Sequence, residues 1–385
     1  MRIGIFGGSF DPVHMEHKKL CERAVDCLSL DKLFIVPAFA PPHKKGKKLS
    51  PDRDRLAMCK IAFEKMEKVE VSSYEIEREG TSYTYLTVEH FKKLYKDAEI
   101  FFLMGTDMLR DFPTWKRTDL ILQNVTLAVC SRGEIDKNWV ERERKVYFER
   151  VKTEKDFVVI DYDAEPISST RARVLLSIDA CPEEWVQKEV QAYAKKEGLY
   201  YKPCSKKALS YEKESRKNHS IQVAYFGAEN AKKYSLDEGK VILACLVHDC
   251  AKNLDERDEK LRGFICPPDV PKQVWHQFAG GYVCEHDLGI DDEEVVNAVR
   301  YHTSGRAGMS PLERLVFLAD MLEEGREYRE VDDLRALFEK SPDLCLEEAL
   351  KQSILFIKEK GQKVYPLTIE GYEWIKKENE KEKRI

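Results

Sequence analysis

The sequence predicts two domains in succession: an α/β domain built on a parallel sheet, then an all-α domain. Three observations carry this. The chain has 385 residues, room for two or three domains at roughly 150 residues each. Strand-like and helix-like segments alternate through about residue 200, the pattern of a parallel sheet covered by helices. After about residue 201 no strand-like run remains, and amphipathic helical runs are separated by Gly, Pro and Asp clusters such as GFICPPDVP at 263–271.

In chain order, Arg2–Phe6 is a short apolar strand that runs into the breaker Gly7-Gly8. Met15–Leu28 carries helical spacing through Leu20, Ala24 and Leu28. Lys32–Pro37 is the next strand, followed by a Pro- and Lys-rich loop to Lys48. A helix over Arg53–Glu67, a strand at Val69–Ser72 and a helix over Tyr85–Tyr95 follow. Ile100–Met104, Val125–Cys130 and Phe157–Ile160 read as buried strands, and Glu183–Lys196 as a last helix before Gly198. The charged tail ENEKEKRI is expected to fray. Domains are expected at 1–201 and 205–385.

Charge narrows the class. Lys and Arg total 64 against 69 Asp and Glu, a net charge of −5, which argues against a nucleic-acid or membrane-surface binder. No apolar run approaches the ~20 residues of a membrane span, and the N-terminus meets Asp11 before a signal-peptide core could form. Eleven cysteines without a CxxC pair read as reduced thiols of a cytoplasmic protein.

The N-terminal strand leads into GGSFDPVHMEH at 7–17. Gly7 and Gly8 allow a phosphate to approach the backbone, and Pro12 helps set the turn. His14 and His17, three apart, share one face of the first helical turn. Free N–H groups and the helix dipole make such a terminus an anion site. Ile167-Ser168-Ser169-Thr170-Arg171-Ala172-Arg173 adds hydroxyls, amides and guanidinium suited to a polyphosphate.

On these two motifs residues 1–200 resemble the nicotinate-nucleotide adenylyltransferases of the nucleotidylyltransferase superfamily, with their GxFDPxHxxH and ISSTxxR signatures. The resemblance implies a Rossmann-like domain that joins ATP and nicotinate mononucleotide with Mg²⁺. It assigns Gly7, Gly8, Ser9, Phe10, His14, His17, Ser168, Ser169, Thr170 and Arg173 to ATP. Lys44 in PPHKK matches a phosphate-contacting lysine. Thr81, Tyr83, Asp107, Trp115 and Arg132, with Lys44, match the acceptor-nucleotide region. His14, His17, Lys44 and Arg173 would position the phosphates and neutralise their charge. Two positions depart from the family: Glu16 stands where Gly is usual, and Leu86 replaces an Asp. Glu is favoured in a first helical turn, so Glu16 is expected to project to solvent.

In the second half, His219, His248, His276 and His302 fall on apolar helical stripes, with Asp249 beside His248 and Asp320 inside LVFLADML. Four such histidines and two embedded carboxylates are costly to bury unless an ion binds them. An N/O donor set without Cys suits Mn, Fe or another borderline ion. The order His219, His248-Asp249, Asp320, with HDCAK and YHTSGRAGMS around it, resembles the HD-domain metal phosphohydrolases, over about residues 205–375. It is similar to the subfamily that splits diadenosine tetraphosphate symmetrically. That resemblance makes all six residues metal ligands for one or two ions, which activate a water and clamp the phosphate. It gives Lys252 a catalytic, phosphate-binding place and Arg306 a phosphate-binding one. Arg326 in LEEGR retains the arginine of the subfamily's I-E-P-x-R string.

The expectation is a bifunctional enzyme with ATP, nicotinate mononucleotide and diadenosine tetraphosphate as partners, no nucleic acid or membrane, and a homodimer allowed. The alternative is an active transferase carrying a non-hydrolytic, nucleotide-binding regulatory HD module, or an HD nucleotidase.

Overall fold

The computed structural model describes residues 1–42, 48–132, 137–153, 155–162 and 164–382, without the side chains of 131–132, 137–141 and 382. The chain folds as two compact units, Met1–Arg173 with Cys181–Leu199, and Val174–Ala180 with Tyr200–Ile385.

The first unit runs β1 (Arg2–Gly8), α1 (Met15–Cys27), β2 (Lys32–Pro37), α2 (Asp52–Phe63), β3 (Val69–Val71), α3 (Tyr74–Arg78), α4 (Thr84–Leu94), β4 (Glu99–Gly105), α5 (Thr106–Asp111), α6 (Thr118–Asn124), β5 (Thr126–Arg132), α7 (Lys137–Val151), β6 (Val158–Tyr162), α8 (Ser169–Ser177) and α9 (Lys188–Lys196). The six strands are parallel in the order β3-β2-β1-β4-β5-β6. Successive β1 residues Ile3, Gly4, Ile5 and Phe6 are all buried, so both faces of the sheet are covered, as continuous apolar strands require. One face packs Ile3, Ile5, Phe34, Val36, Phe102 and Met104 against Val88, Phe91 and Ile121. The order reverses between β1 and β4, and ligands of such sheets bind outside the carboxyl ends at that switch point. The chain leaves β1 at Gly8 and β4 at Gly105 on this edge.

The second unit is helical: α10 (Pro203–Leu209), α11 (Glu214–Asn230), α12 (Glu238–Val247), α13 (Lys272–His286), α14 (Glu293–Tyr301), α15 (Pro311–Leu322), α16 (Val331–Lys340), α17 (Pro342–Glu359) and α18 (Pro366–Glu382). Side-chain caps start α12, α14 and α15, three of the helices that bear on the histidines and acids. Asp237 accepts from Lys240 N–H at α12, Asp292 from Glu294 and Val295 N–H at α14, and Ser310 from Glu313 N–H ahead of Pro311 at α15. At Gly280 on α13 a Cβ would come 3.0 Å from Val299. The missing side chain therefore lets α13 approach α14 closely.

Three expectations are corrected. The helix expected over 183–196 starts at Lys188 instead. Trp185 sits in a turn, its N–H on the Pro182 carbonyl, and its own carbonyl accepts Met15 N–H at 2.9 Å, so this segment caps α1. The tail does not fray before Glu382, because Asn379 is buried and its amide reaches Asp343 O and Glu347 Oε2. Glu16 does not project to solvent. Its side chain is 1% exposed and pairs with Lys19 Nζ at 3.2 Å, and the same ammonium reaches Glu165. Helices α3 and α5–α7 were not anticipated: α3, α5 and α6 are short, and α7 is rich in charge although Tyr147, Phe148 and Val151 pack on the core.

Candidate functional site

In the first unit the two signature motifs meet at the switch point. His14 is the N-cap of α1, with extended backbone, and its N–H donates to His17 Nδ1 at 3.1 Å. A neutral His17 therefore carries its proton on Nε2, which is left as a donor. The two rings lie 3.7 Å apart, and Phe10 packs edge-on against His17. Phe10 is buried and left-handed at φ 48°. A Cβ on Gly8 would come 3.0 Å from its ring, so Gly8 makes room for Phe10 as well as for a ligand.

The ISST motif comes against this turn. Ser168 Oγ accepts Arg171 N–H at 3.2 Å, capping α8. Ser169 Oγ donates to Pro12 O at 3.0 Å, and Arg173 donates to Asp11 O and to Thr170 Oγ1.

The acceptor set is more scattered. Thr81 bridges to Ala40 beyond β2, and Tyr83 starts α4 with Lys116 Nζ 4.6 Å above its ring. Exposed Asp107 lies in the first turn of α5, after β4. Half-buried Trp115 leans on Phe102 and Phe112 at ring distances of 6.1 and 5.4 Å. Lys44 and the Arg132 side chain lie outside the described residues.

Sequence reasoning missed Arg55. Its side chain is 1% exposed, and it donates from Nε to Ser50 O at 3.0 Å, from Nη1 to Ser9 O at 2.8 Å and from Nη2 to Phe39 O at 3.3 Å. One guanidinium thus ties together the loops after β1 and β2 and the entry to α2. Asp11 Oδ2 accepts Ser50 N–H beside it.

In the second unit all four histidines and both carboxylates converge. Two sets of donor atoms could each hold an ion: His219, His248 and Asp320, and His248, Asp249 and His302. Asp320 Oδ1 is 2.8 Å from His219 Nε2 and 3.8 Å from His248 Nε2. Asp249 Oδ1 is 3.3 Å from His302 Nε2 and 3.4 Å from His276 Nε2, and those two nitrogens are 3.2 Å apart.

The proton placement shows that these residues fit a cation. His248 and His302 end α12 and α14, and each donates Nδ1–H to the carbonyl three residues back, Cys245 O at 2.7 Å and Val299 O at 2.8 Å. When neutral, both then aim a bare Nε2 lone pair inward. His248 Nε2 is fully buried and has no hydrogen-bond partner. Lone pairs facing a carboxylate oxygen repel unless a positive charge lies between them, and neutral imidazole with carboxylate is a borderline-metal donor set.

Electrostatics agree. Burial drives the imidazoles towards neutrality: His276 is pushed down to about 2, with His302 and Lys252 adding to the effect, and His248 to about 4 against the pull of Asp249 and Asp320. Burial opposes charge on His219 too, but hydrogen bonds to Asp320 and Glu323 prevail and raise it to about 9. Both carboxyls resist burial and lie well below the usual range, Asp320 through its hydrogen bond to His219 and Asp249 through His248 and His302.

Cations line this cluster. Lys252 Nζ is 2.9 Å from His276 Nε2, Arg216 Nη1 donates to Asp249 Oδ2 at 3.0 Å, and Arg326 donates to Asp320 Oδ1. Arg216, three residues before His219 on the same helix, was missed, although that spacing was visible. Arg306 is otherwise engaged: it pairs in bidentate fashion with buried Glu313 at 2.8 and 2.7 Å and stacks on Tyr301.

Glu212 offers a separate check. It is buried beside Ser220, and burial pushes its carboxyl up to about 7 although the Ser220 hydroxyl opposes this. Its folded value lies above the unfolded one, so its contribution to stability is complete below pH about 4.5 and is lost as pH rises through 7. The loss is at most about 3 kcal/mol. Glu212→Gln should match the wild type in urea midpoint at pH 5 and exceed it at pH 8; equal midpoints at pH 8 would refute the assignment.

Comparison with known proteins places both halves. Residues 5–175 match the cytidylyltransferase-like family model and residues 216–325 the HD domain model. A "Probable nicotinate-nucleotide adenylyltransferase" of Clostridium tetani is 34% identical over 196 residues, 51% of this chain and 97% of the relative. A "Probable nicotinate-nucleotide adenylyltransferase/Ap4A hydrolase" of Mycoplasma genitalium is 28% identical over 329 residues, 85% of this chain and 88% of the relative. Among solved structures, an HD superfamily hydrolase from Clostridium acetobutylicum, titled as involved in NAD metabolism, is 31% identical. It covers 46% of this chain and 96% of its own, with a TM-score of 0.42. The chain therefore belongs to the nicotinate-nucleotide adenylyltransferase family, and its helical half is an HD domain.

Proposed function

We propose that the chain is a bifunctional enzyme. Its first activity transfers AMP from ATP to nicotinate mononucleotide, giving nicotinate adenine dinucleotide and pyrophosphate. Its second hydrolyses diadenosine tetraphosphate to two ADP. The observation that carries this reading is the Mycoplasma relative, which holds both names on one chain aligned over 85% of this one.

In the transfer, the acceptor's 5′-phosphate attacks the ATP α-phosphorus and pyrophosphate leaves without a covalent enzyme intermediate. His17 Nε2–H, the α1 and α8 N-termini and the Ser168–Thr170 hydroxyls supply donors where charge builds. Ser169 and Arg173 hold the Asp11–Pro12 turn in register with them. Gly7, Gly8, Ser9, Phe10, His14 and Lys44 complete the ATP side. Thr81, Tyr83, Asp107, Trp115 and Arg132, with Lys44, take the acceptor. Mg²⁺, bound with the nucleotide, neutralises the leaving phosphates.

In the helical unit His219, His248, Asp249, His276, His302 and Asp320 would hold one or two ions, of Fe or Mn type by their donor set. Such an ion polarises the phosphate and lowers the pKa of water at the site. Lys252 meets substrate phosphate from the His276 side. Arg306 is assigned to phosphate too, and reaching it would require exchanging its Glu313 pair. We place the boundary between the activities at 201–205. No helix among the described residues is long and apolar enough to cross a membrane. We assign the enzyme to the cytoplasm on its likeness to the nicotinate-nucleotide adenylyltransferase/Ap4A hydrolase relative.

Chromatography of the full-chain protein's products tests both halves. ATP with nicotinate mononucleotide should yield dinucleotide and pyrophosphate, and equal use of nicotinamide mononucleotide would overturn the acceptor assignment. Diadenosine tetraphosphate should give ADP alone. ATP plus AMP would refute symmetrical cleavage, and binding without turnover would favour a regulatory HD module.

A further inference from the structure

His248 and His302 lie at helix ends, whereas His219 and His276 lie inside α11 and α13. His248 and His302 use carbonyls of a last helical turn, which have no intrahelical partner. Carbonyls around His219 are taken by the helix ladder, so its Nδ1 needs a partner from elsewhere. Glu323 provides one, with Oε1 3.1 Å from Nδ1.

Glu323 sits three residues after Asp320, at the C-cap of α15. A single helical turn therefore places one carboxylate on each nitrogen of the same imidazole, Asp320 on Nε2 and Glu323 on Nδ1. The Glu323 side chain is 4% exposed. Its other oxygen accepts Gly325 N–H, and Arg326 Nε lies 3.6 Å from Oε1. Its main-chain carbonyl accepts from Arg335. A carboxylate this buried and this tightly held, next to the Asp320 ligand, calls for a role.

We propose that Glu323 is a positioning residue for the metal centre, fixing His219 in the tautomer and ring orientation that presents Nε2 as a ligand. The inference rests on the metal reading of the HD domain above. Accepting Nδ1–H leaves Nε2 unprotonated in the neutral ring. The negative charge behind the ring also strengthens the ligand, as carboxylates behind metal-bound histidines do. His248 and His302 get the same service from main-chain carbonyls, which no substitution removes. His219 therefore depends for its orientation on a side chain, where His248 and His302 depend on the main chain.

Equilibrium dialysis of the full chain against Mn²⁺ tests this, alongside adenylyl transfer as an internal measure of intact protein. Glu323→Ala should weaken Mn²⁺ binding about 10–100-fold and remove most of the Mn²⁺-induced rise in melting temperature. Glu323→Gln keeps an acceptor for Nδ1–H and should recover part of that affinity. Wild-type affinity in Glu323→Ala would overturn the proposal. If Glu323→Ala does not fold, Glu323→Gln decides: unchanged Mn²⁺ affinity refutes the charge argument, and a several-fold loss supports it. A wild-type chain that takes up no Mn²⁺ or Fe²⁺ would instead bring down the metal reading itself, and this inference with it.

Discussion

Asp249→Ala is expected to lose bound metal and diadenosine tetraphosphate hydrolysis together while leaving adenylyl transfer at its wild-type rate. Asp249 touches more of the cluster than any other carboxylate there: Oδ1 faces His276 and His302, and Oδ2 is held by Arg216. Removing it takes away a ligand and leaves Arg216 without its counter-charge. Metal affinity should fall by more than about 100-fold, beyond the effect of changing an outer partner. Losing the partner of Arg216, whose side chain is 35% exposed, also lowers stability, so the melting temperature should drop as well. Asp249→Asn, which keeps the shape, separates the two effects: it should fold better than the alanine variant and still retain little metal. Retention of stoichiometric metal by Asp249→Asn would show that this carboxylate is not a ligand.

His14→Ala should lower kcat for dinucleotide formation by about 10²-fold or more, the usual cost of losing an oriented stabiliser of developing charge. The geometry makes the effect compound. His14 is buried, stacks its ring 3.7 Å from His17, and through its N–H sets which nitrogen of His17 carries the proton. The alanine keeps that N–H, so His17 should hold its tautomer but lose its neighbour. KM for ATP should therefore rise less than kcat falls, and hydrolysis of diadenosine tetraphosphate should not change. Normal turnover in the variant would remove His14 from the mechanism.

The sequence made the sheet legible because strands buried on both faces read as unbroken apolar runs, and because Gly7-Gly8 and the histidine pair punctuate the first turn. The convergence of His219, His248, Asp249, His276, His302 and Asp320 was legible for a related reason. Each breaks an apolar helical stripe, and buried polar groups need partners. What escaped notice depends on contacts far apart in the chain. Glu16 obeys a rule for first helical turns that holds only for an isolated helix. Lys19, itself tied to Glu165 ahead of the ISST motif, draws it inside. Glu323 stood in the sequence only as part of the LEEGR string, and its contact with His219, from another helix, shows only in the fold. In helix α7 the core-facing Tyr147, Phe148 and Val151 stand among so many charges that their stripe was not read.

Arg55 shows which positions near the nucleotide can drift. It donates to the main-chain carbonyls of Ser9, Phe39 and Ser50, a chemical feature every amino acid possesses. Homologues could therefore exchange the side chains at Phe39 and Ser50 and keep the same staple, whereas lysine at 55, with a single nitrogen in place of a planar fork, could not reach all three carbonyls. In a saturation mutagenesis experiment this position should look as intolerant as a substrate contact while Phe39 and Ser50 look permissive. An intolerant residue surrounded by tolerant ones is a pattern that inspection of ligand distances alone would misfile.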